Sequence, residues 1–224
     1  MPLDQIQNLL DTLYADTLRV DPAVRARHHL TEGSPSFYAA MREAYMPVTP
    51  DFGRLLYLLV VCGRPSLVVE FGTSFGVSTL FIAAALRDNG AGRVITTELE
   101  SGKVARARAN LRTAGLDSYV EFRVGDARET LRDLPADSVD LLFLDGEKSL
   151  YLALLRQLEP ALRPGSPIVG DNVDFAGAQE FLDQAGYLRA TFSTEALGTR
   201  HDHQVLLRTR AAVPTADQVA VSAR

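Results

Sequence analysis

At 224 residues, with 46% hydrophobic and 23% charged side chains, the chain can close one sizeable hydrophobic core, which excludes a disordered or fibrous protein. A formal net charge of −5 argues against a surface built to neutralise phosphates, so nucleic acid is not an expected partner. The one cysteine, Cys62, excludes an intramolecular disulfide and fits a reducing compartment, and no Cys/His spacing points to zinc. No stretch reaches the roughly 18 apolar residues of a membrane span, and the acidic first twenty residues do not read as a leader. The expected location is cytoplasmic, with no membrane partner.

Residues 3–20 carry Leu3, Ile6, Leu9, Leu10 and Leu13 at helical spacing, and residues 36–46 repeat the pattern more briefly. Phe52–Cys62 is an apolar helix after Pro47 and Pro50, closed by Gly63 and Pro65. Strand and helix then alternate. Leu67–Phe71, Arg93–Thr97, Tyr119–Val124, Val139–Leu144 and Ser166–Gly170 read as buried strands. Between them helices are expected over Val77–Arg87, around Val104, Ala107 and Leu111, over Ala127–Leu134 and over Leu150–Leu162. After a helix at Ala178–Ala185, Tyr187–Ser193 and His203–Arg208 read as an antiparallel pair at one edge. The expected fold is a doubly wound, mostly parallel α/β sheet.

Acids recur at the strand ends. In VVEFGTSFGVST, Glu70 ends the first strand, and Gly72 and Gly76 open the next helix, spaced G-x-x-x-G rather than as the dinucleotide fingerprint. An acid there would repel a pyrophosphate but suits a ligand bearing an ammonium or sulfonium. Glu98 ends the second strand, where ribose hydroxyls need an acceptor, and Asp126 in VGDA can accept from an adenine amino group. A nucleoside with a positively charged tail fits all three, and S-adenosylmethionine is such a molecule.

Two further strands also end in acids: LLFLDGEKSLY carries Asp145, and PIVGDN carries Asp171 and Asn172. Two carboxylates about 4 Å apart repel by roughly 4 kcal/mol at an effective dielectric of 20, so a shared proton or a cation must offset them. Oxygen ligands with an amide favour Mg²⁺ or Ca²⁺ over zinc, with open positions for two adjacent substrate hydroxyls. Lys148 lies three residues after Asp145. Of 23 basic residues only Lys103 and Lys148 are lysines, and Lys can give up its proton where Arg cannot, which suits a general base. The plainer readings are a helix cap at Asp145, a turn at Asp171–Asn172 and a surface lysine.

These motifs together resemble the cation-dependent O-methyltransferases, the family of catechol and caffeoyl-coenzyme A O-methyltransferases and their small bacterial relatives. The resemblance covers roughly residues 46–210 through VVEFGTSFGVST, ITTELE, VGDA, FLDGEKSLY and GDNV. It implies a Rossmann-like class I methyltransferase fold, and contacts to the methyl donor from Val48, Glu70, Gly72, Ser78, Glu98, Asp126, Ala127 and Asp145. It further implies that Asp145, Asp171 and Asn172 ligate Mg²⁺ or another divalent cation such as Ca²⁺ or Mn²⁺, that Lys148 is the base, and that a small catechol-like aromatic diol is the acceptor. Tyr151 matches an aromatic of the same motif, with packing as an equal reading.

Residues 1–50 are expected to cover the acceptor site, 51–210 to form the methyltransferase unit with them, and 211–224 to be a tail. A homodimer is expected from the amphipathic N-terminal helices and from the bacterial relatives. Gly146 and Glu147 replace a bulkier pair of the animal catechol enzymes, and Val173, Asp174 and Phe175 stand where the family often has an aromatic and a Gly-rich loop. Glu195, His201 and His203 are left between acceptor contacts and loop residues. A metal-independent methyltransferase and a non-catalytic nucleoside-binding protein are the alternatives.

Overall fold

Three helical segments precede the sheet. The computed structural model describes residues 4–28, 35–175, 177–184, 188–196 and 199–207. Helix α1 runs Asp4–Arg25, five residues past the expected end, and continues through Pro22. Proline's missing N–H leaves the Leu18 carbonyl without its helical bond, and Leu18 lies on an exposed stretch where water can serve instead. The helix expected over 36–46 is shorter: α2 spans Pro35–Ala40, one 3₁₀ turn follows at Met41–Glu43, and the chain becomes extended at Ala44. The cause is Asp21 of α1, whose carboxylate accepts from the Tyr45 and Met46 amides at 2.8 Å each and so takes donors that a longer helix would use. Helix α3, Pro50–Gly63, starts on Thr49, whose Oγ1 accepts from the Phe52 amide.

The sheet comprises β1 Leu67–Phe71, β2 Arg93–Glu98, β3 Val120–Val124, β4 Leu141–Leu144, β5 Pro167–Gly170, β6 Leu188–Ala196 and β7 Thr199–Leu207. Its order is β3-β2-β1-β4-β5-β7-β6. The first five in space are mutually parallel, while β7 runs antiparallel to both β5 and β6. Tyr187, Arg208 and the tail at 211–224 lie outside the described residues.

Helices α4 Val77–Asn89, α5 Ser101–Thr113, α6 Ala127–Thr130, α7 Tyr151–Leu158 and α8 Gln179–Gln184 connect and cover the strands. Alternate strand residues face opposite cores. Val68, Leu141, Phe143 and Val169 pack with α1, α3 and α4, whereas Val69, Leu142, Leu144 and Ile168 pack with α7 and α8. Each such side chain contributes about 1.5–3 kcal/mol by leaving water, which holds the strands in register. Two expected helices are shorter than their apolar patterns. Helix α6 stops at Thr130, and α7 gives way at Leu158 to a 3₁₀ turn over Glu159–Ala161, where Pro160 lacks an amide to donate.

Between β1 and β4 the chain reverses its direction of travel across the sheet, since β1 leads outward to β2 and β4 to β5. The connections therefore leave the two carboxyl ends on opposite sides, and a crevice opens there. Among the described residues no helix is long and apolar enough to cross a membrane.

Candidate active site

A cavity of about 770 Å³ fills that crevice. The strand ends line it with Gly72 after β1, Glu98 on β2, Asp145 after β4 and Asp171 after β5, and α1 adds Thr17, Asp21 and Arg25. Val48, Asp126, Ala127, Lys148 and Asn172 also line it. Most of the residues singled out in the sequence thus meet in one place, although they span 125 positions from Val48 to Asn172.

Glu98 is held by backbone amides: its Oε2 accepts from Ser74 N at 2.9 Å and its Oε1 from Glu100 N at 3.0 Å. That fixes a carboxylate at the β2 end of the cavity. Asp126 caps α6 by accepting from the Arg128 amide, and it also accepts from the Arg128 guanidinium at 2.6 Å. These bonds hold its pKa below the usual carboxylate range. An adenine amino group at Asp126 would share oxygens with Arg128, itself a cavity residue.

Glu70 and Ser78 depart from expectation. Neither lines the cavity; Glu70 is fully buried, accepting from Ser78 Oγ and Thr79 Oγ1 at 2.6 Å each. The carboxylate ties the end of β1 to the first turn of α4 instead of facing a cationic ligand. Burial pushes its pKa up, against the pull of the two hydroxyls. An acid with a raised folded pKa costs stability as it ionises. Near the ordinary value of 4.5 that cost is small, and it grows as pH rises toward the folded value. Glu70→Gln is expected to remove this dependence, so that wild type loses stability relative to the variant as the pH rises above about 4.5 in urea unfolding.

The acid pair lies at the other end of the cavity. Asp171 is 4% exposed and the Asp145 side chain 13%. Burial, and then the nearby Asp171 charge, push the Asp145 pKa well above the carboxylate range, while the Lys148 charge pulls it down. Lys148 is 2% exposed, and its Nζ donates to Tyr151 Oη at 2.8 Å and lies 3.4 Å from Asp145 Oδ1. Tyr151 is more than packing. Its hydroxyl lies 2.7 Å from the Leu144 carbonyl and 3.0 Å from that of Asp171, so one phenol joins the ends of β4 and β5 and sets the separation of the acids.

This donor set suits a hard divalent cation. The buried Asp171 and the half-buried Asp145 line one cavity with Asn172, and of the two acids Asp145 lies 3.4 Å from Lys148 Nζ. Asn172 sits at φ 47, a left-handed turn conformation that asparagine tolerates, so the turn and ligand readings describe one residue. Among the described residues no group of three or more His, Cys, Asp or Glu side chains is arranged to hold a metal ion.

Close packing fixes the turn between the acids and β1. Gly72 has φ +102, and a Cβ there would meet the Asp145 carbonyl oxygen at 2.6 Å. At Gly146 a Cβ would fall 2.3 Å from the Phe71 ring, so the ring leaves no room for a side chain there.

Sequence reading missed several cavity residues. Lys103 is the second of the chain's two lysines, so the rarity that marked Lys148 could have marked it too. It is 7% exposed, donates from Nζ to Ser74 Oγ at 3.1 Å, and has its pKa lowered by burial. Ser74 Oγ in turn donates to the Tyr45 carbonyl at 2.6 Å, so Lys103, Ser74, Tyr45 and Asp21 connect the β1 turn to α1.

A mostly parallel sheet with a cavity at its reversal point, bordered by acids at the ends of β2, β4 and β5, is a Rossmann-like α/β fold with its ligand crevice at the switch point. Residues 69–173 match a methyltransferase domain model. An O-methyltransferase of tomaymycin synthesis from Streptomyces achromogenes, solved with SAM, superposes with a TM-score of 0.65 at 26% identity, covering 73% of this chain and 82% of that one. A catechol O-methyltransferase of Niastella koreensis is 36% identical over 140 residues, 60% of this chain and 62% of that protein, so the match spans less than two thirds of its length. A catechol O-methyltransferase of Mycobacterium tuberculosis is 32% identical over 171 residues, 75% of this chain and 73% of that protein. The chain belongs to this family of S-adenosylmethionine-dependent O-methyltransferases related to catechol O-methyltransferase.

Proposed function

We propose that the chain transfers a methyl group from S-adenosylmethionine to one hydroxyl of a small catechol-like aromatic diol. The observation that carries this reading is the pair of Asp145 and Asp171 with Lys148, placed on the same cavity as Glu98. Family membership supports the donor, and the names of the Niastella and Mycobacterium relatives support the acceptor class. Asp145, Asp171 and Asn172 are the residues that would hold a divalent cation. Such a cation, when bound, supplies positive charge that lowers the pKa of a neighbouring hydroxyl, and the donor supplies an electrophilic methyl group.

The chain's own residues do the remainder. Glu98 presents a fixed carboxylate to ribose hydroxyls, and Asp126 with Arg128 closes the adenine end. Lys148 Nζ, beside Asp145, first releases a proton to solvent and then, as the amine, takes the proton of the acceptor hydroxyl, whose free pKa is about 10. Tyr151 holds that amine and both strand ends in one arrangement, which reduces the reorganisation needed for attack. The α1 residues lining the cavity support a role for residues 1–50 as a cover over the acceptor, joined to the 51–210 unit. The same reading includes a cytoplasmic homodimer.

The experiment is turnover of catechol with S-adenosylmethionine before and after chelation. Activity should disappear in EDTA and return with excess Mg²⁺. Full activity after exhaustive chelation would leave methyl transfer standing and remove the cation from the account.

A further inference from the structure

Tyr38 is a cavity residue that the mechanism above does not use. It stands on α2 with its ring edge-on to Phe37, centroids 5.6 Å apart, and borders the cavity together with Asp145, Lys148 and Asp171. Among the described residues its Oη is the buried side-chain polar atom for which no hydrogen-bond partner is present. Leaving a buried hydroxyl unpaired is unfavourable.

The surroundings decide what the hydroxyl can do. Burial, then the Asp145 carboxylate, push the phenol's pKa above its usual range, and Glu147 and Asp171 act in the same direction. The Lys148 backbone amide acts in the opposite direction without reaching hydrogen-bond geometry. The phenol thus stays protonated and keeps a hydrogen to donate. Lys148 already donates to Tyr151 and faces Asp145, whereas the acids at the strand ends can only accept when ionised.

We propose that Tyr38 Oη donates a hydrogen bond to the second oxygen of the acceptor, the diol hydroxyl that is not methylated. Tyr38 is then a specificity-determining residue that favours adjacent diols over single phenols. This rests on the diol reading of the preceding subsection. A site built to hydrogen-bond a substrate hydroxyl discriminates against the analogue lacking it, because its own polar group is otherwise left unpaired.

Tyr38→Phe keeps the ring and removes the hydroxyl. Calorimetric titration of catechol into protein loaded with S-adenosylhomocysteine and Mg²⁺ should show affinity falling about tenfold in the variant, as for one hydrogen bond, with S-adenosylhomocysteine affinity unchanged. The preference for methylating catechol over phenol should narrow by a similar factor. The thermal midpoint of the ligand-free variant should be equal to or above that of wild type, since the group removed has no partner there. Unchanged catechol affinity overturns the proposal, and so does a lowered midpoint, which would mean that the hydroxyl serves the fold. Wild type that binds S-adenosylhomocysteine but neither binds nor methylates catechol refutes the diol reading itself, a result distinct from either outcome in the variant.

Discussion

Asp171→Asn is expected to lower kcat/KM for catechol by about 10³-fold while leaving S-adenosylhomocysteine binding within about twofold. A bound cation supplies several kcal/mol of charge stabilisation, and each 1.36 kcal/mol is a factor of ten, so losing about 4 kcal/mol gives that loss. Glu98, proposed above to meet the donor's ribose, lies on β2, three places across the sheet from β5, and accepts from the Ser74 and Glu100 amides. The same substitution should have the opposite effect on the metal-free fold. It removes a like charge beside Asp145 and leaves Asp145 with Lys148 as its ion partner. Thermal unfolding in EDTA should therefore show the variant at or above wild type, and added Mg²⁺ should stabilise wild type alone.

Lys148→Arg tests the base. General acid–base catalysis contributes about 10²–10⁴-fold, and a guanidinium cannot give up its proton, so kcat at neutral pH is expected to fall by at least about 10². The deficit should shrink as the pH approaches about 10, where the acceptor hydroxyl ionises unaided. Arginine keeps the charge beside Asp145, so a purely electrostatic role predicts little loss and a flat ratio across pH. Because Lys148 is 2% exposed and hydrogen-bonded to Tyr151, the thermal midpoint of the variant must be measured alongside to separate chemistry from packing.

The strand-end acids were legible because local signals mark them. A buried parallel strand is a short apolar run, and the polar residue that closes it falls at the sheet's carboxyl edge, as in LLFLD and PIVGD. Helix limits were less legible where proline was involved: Pro22 is tolerated inside α1, whereas Pro160 helps to end α7. Glu70 illustrates a different limit. Its position at the end of β1 was readable, but the two hydroxyls that turn it inward lie in the first turn of α4, and nothing in the strand pattern reports side-chain direction beyond the alternation. Asp21 and Ser74 were missed for a related reason. Each acts through a partner many positions away, as in the 24 positions between Asp21 and Tyr45, and such pairings are created only when the helices preceding the sheet fold over its edge.

The acid pair is the centre of the account, and metal binding tests it without relying on turnover. Mn²⁺ titrated into the protein with S-adenosylhomocysteine present, and followed by electron paramagnetic resonance, should show one tightly bound ion per chain in wild type and none in Asp171→Asn. Equal binding by the two proteins, or no binding by wild type, would contradict the assignment.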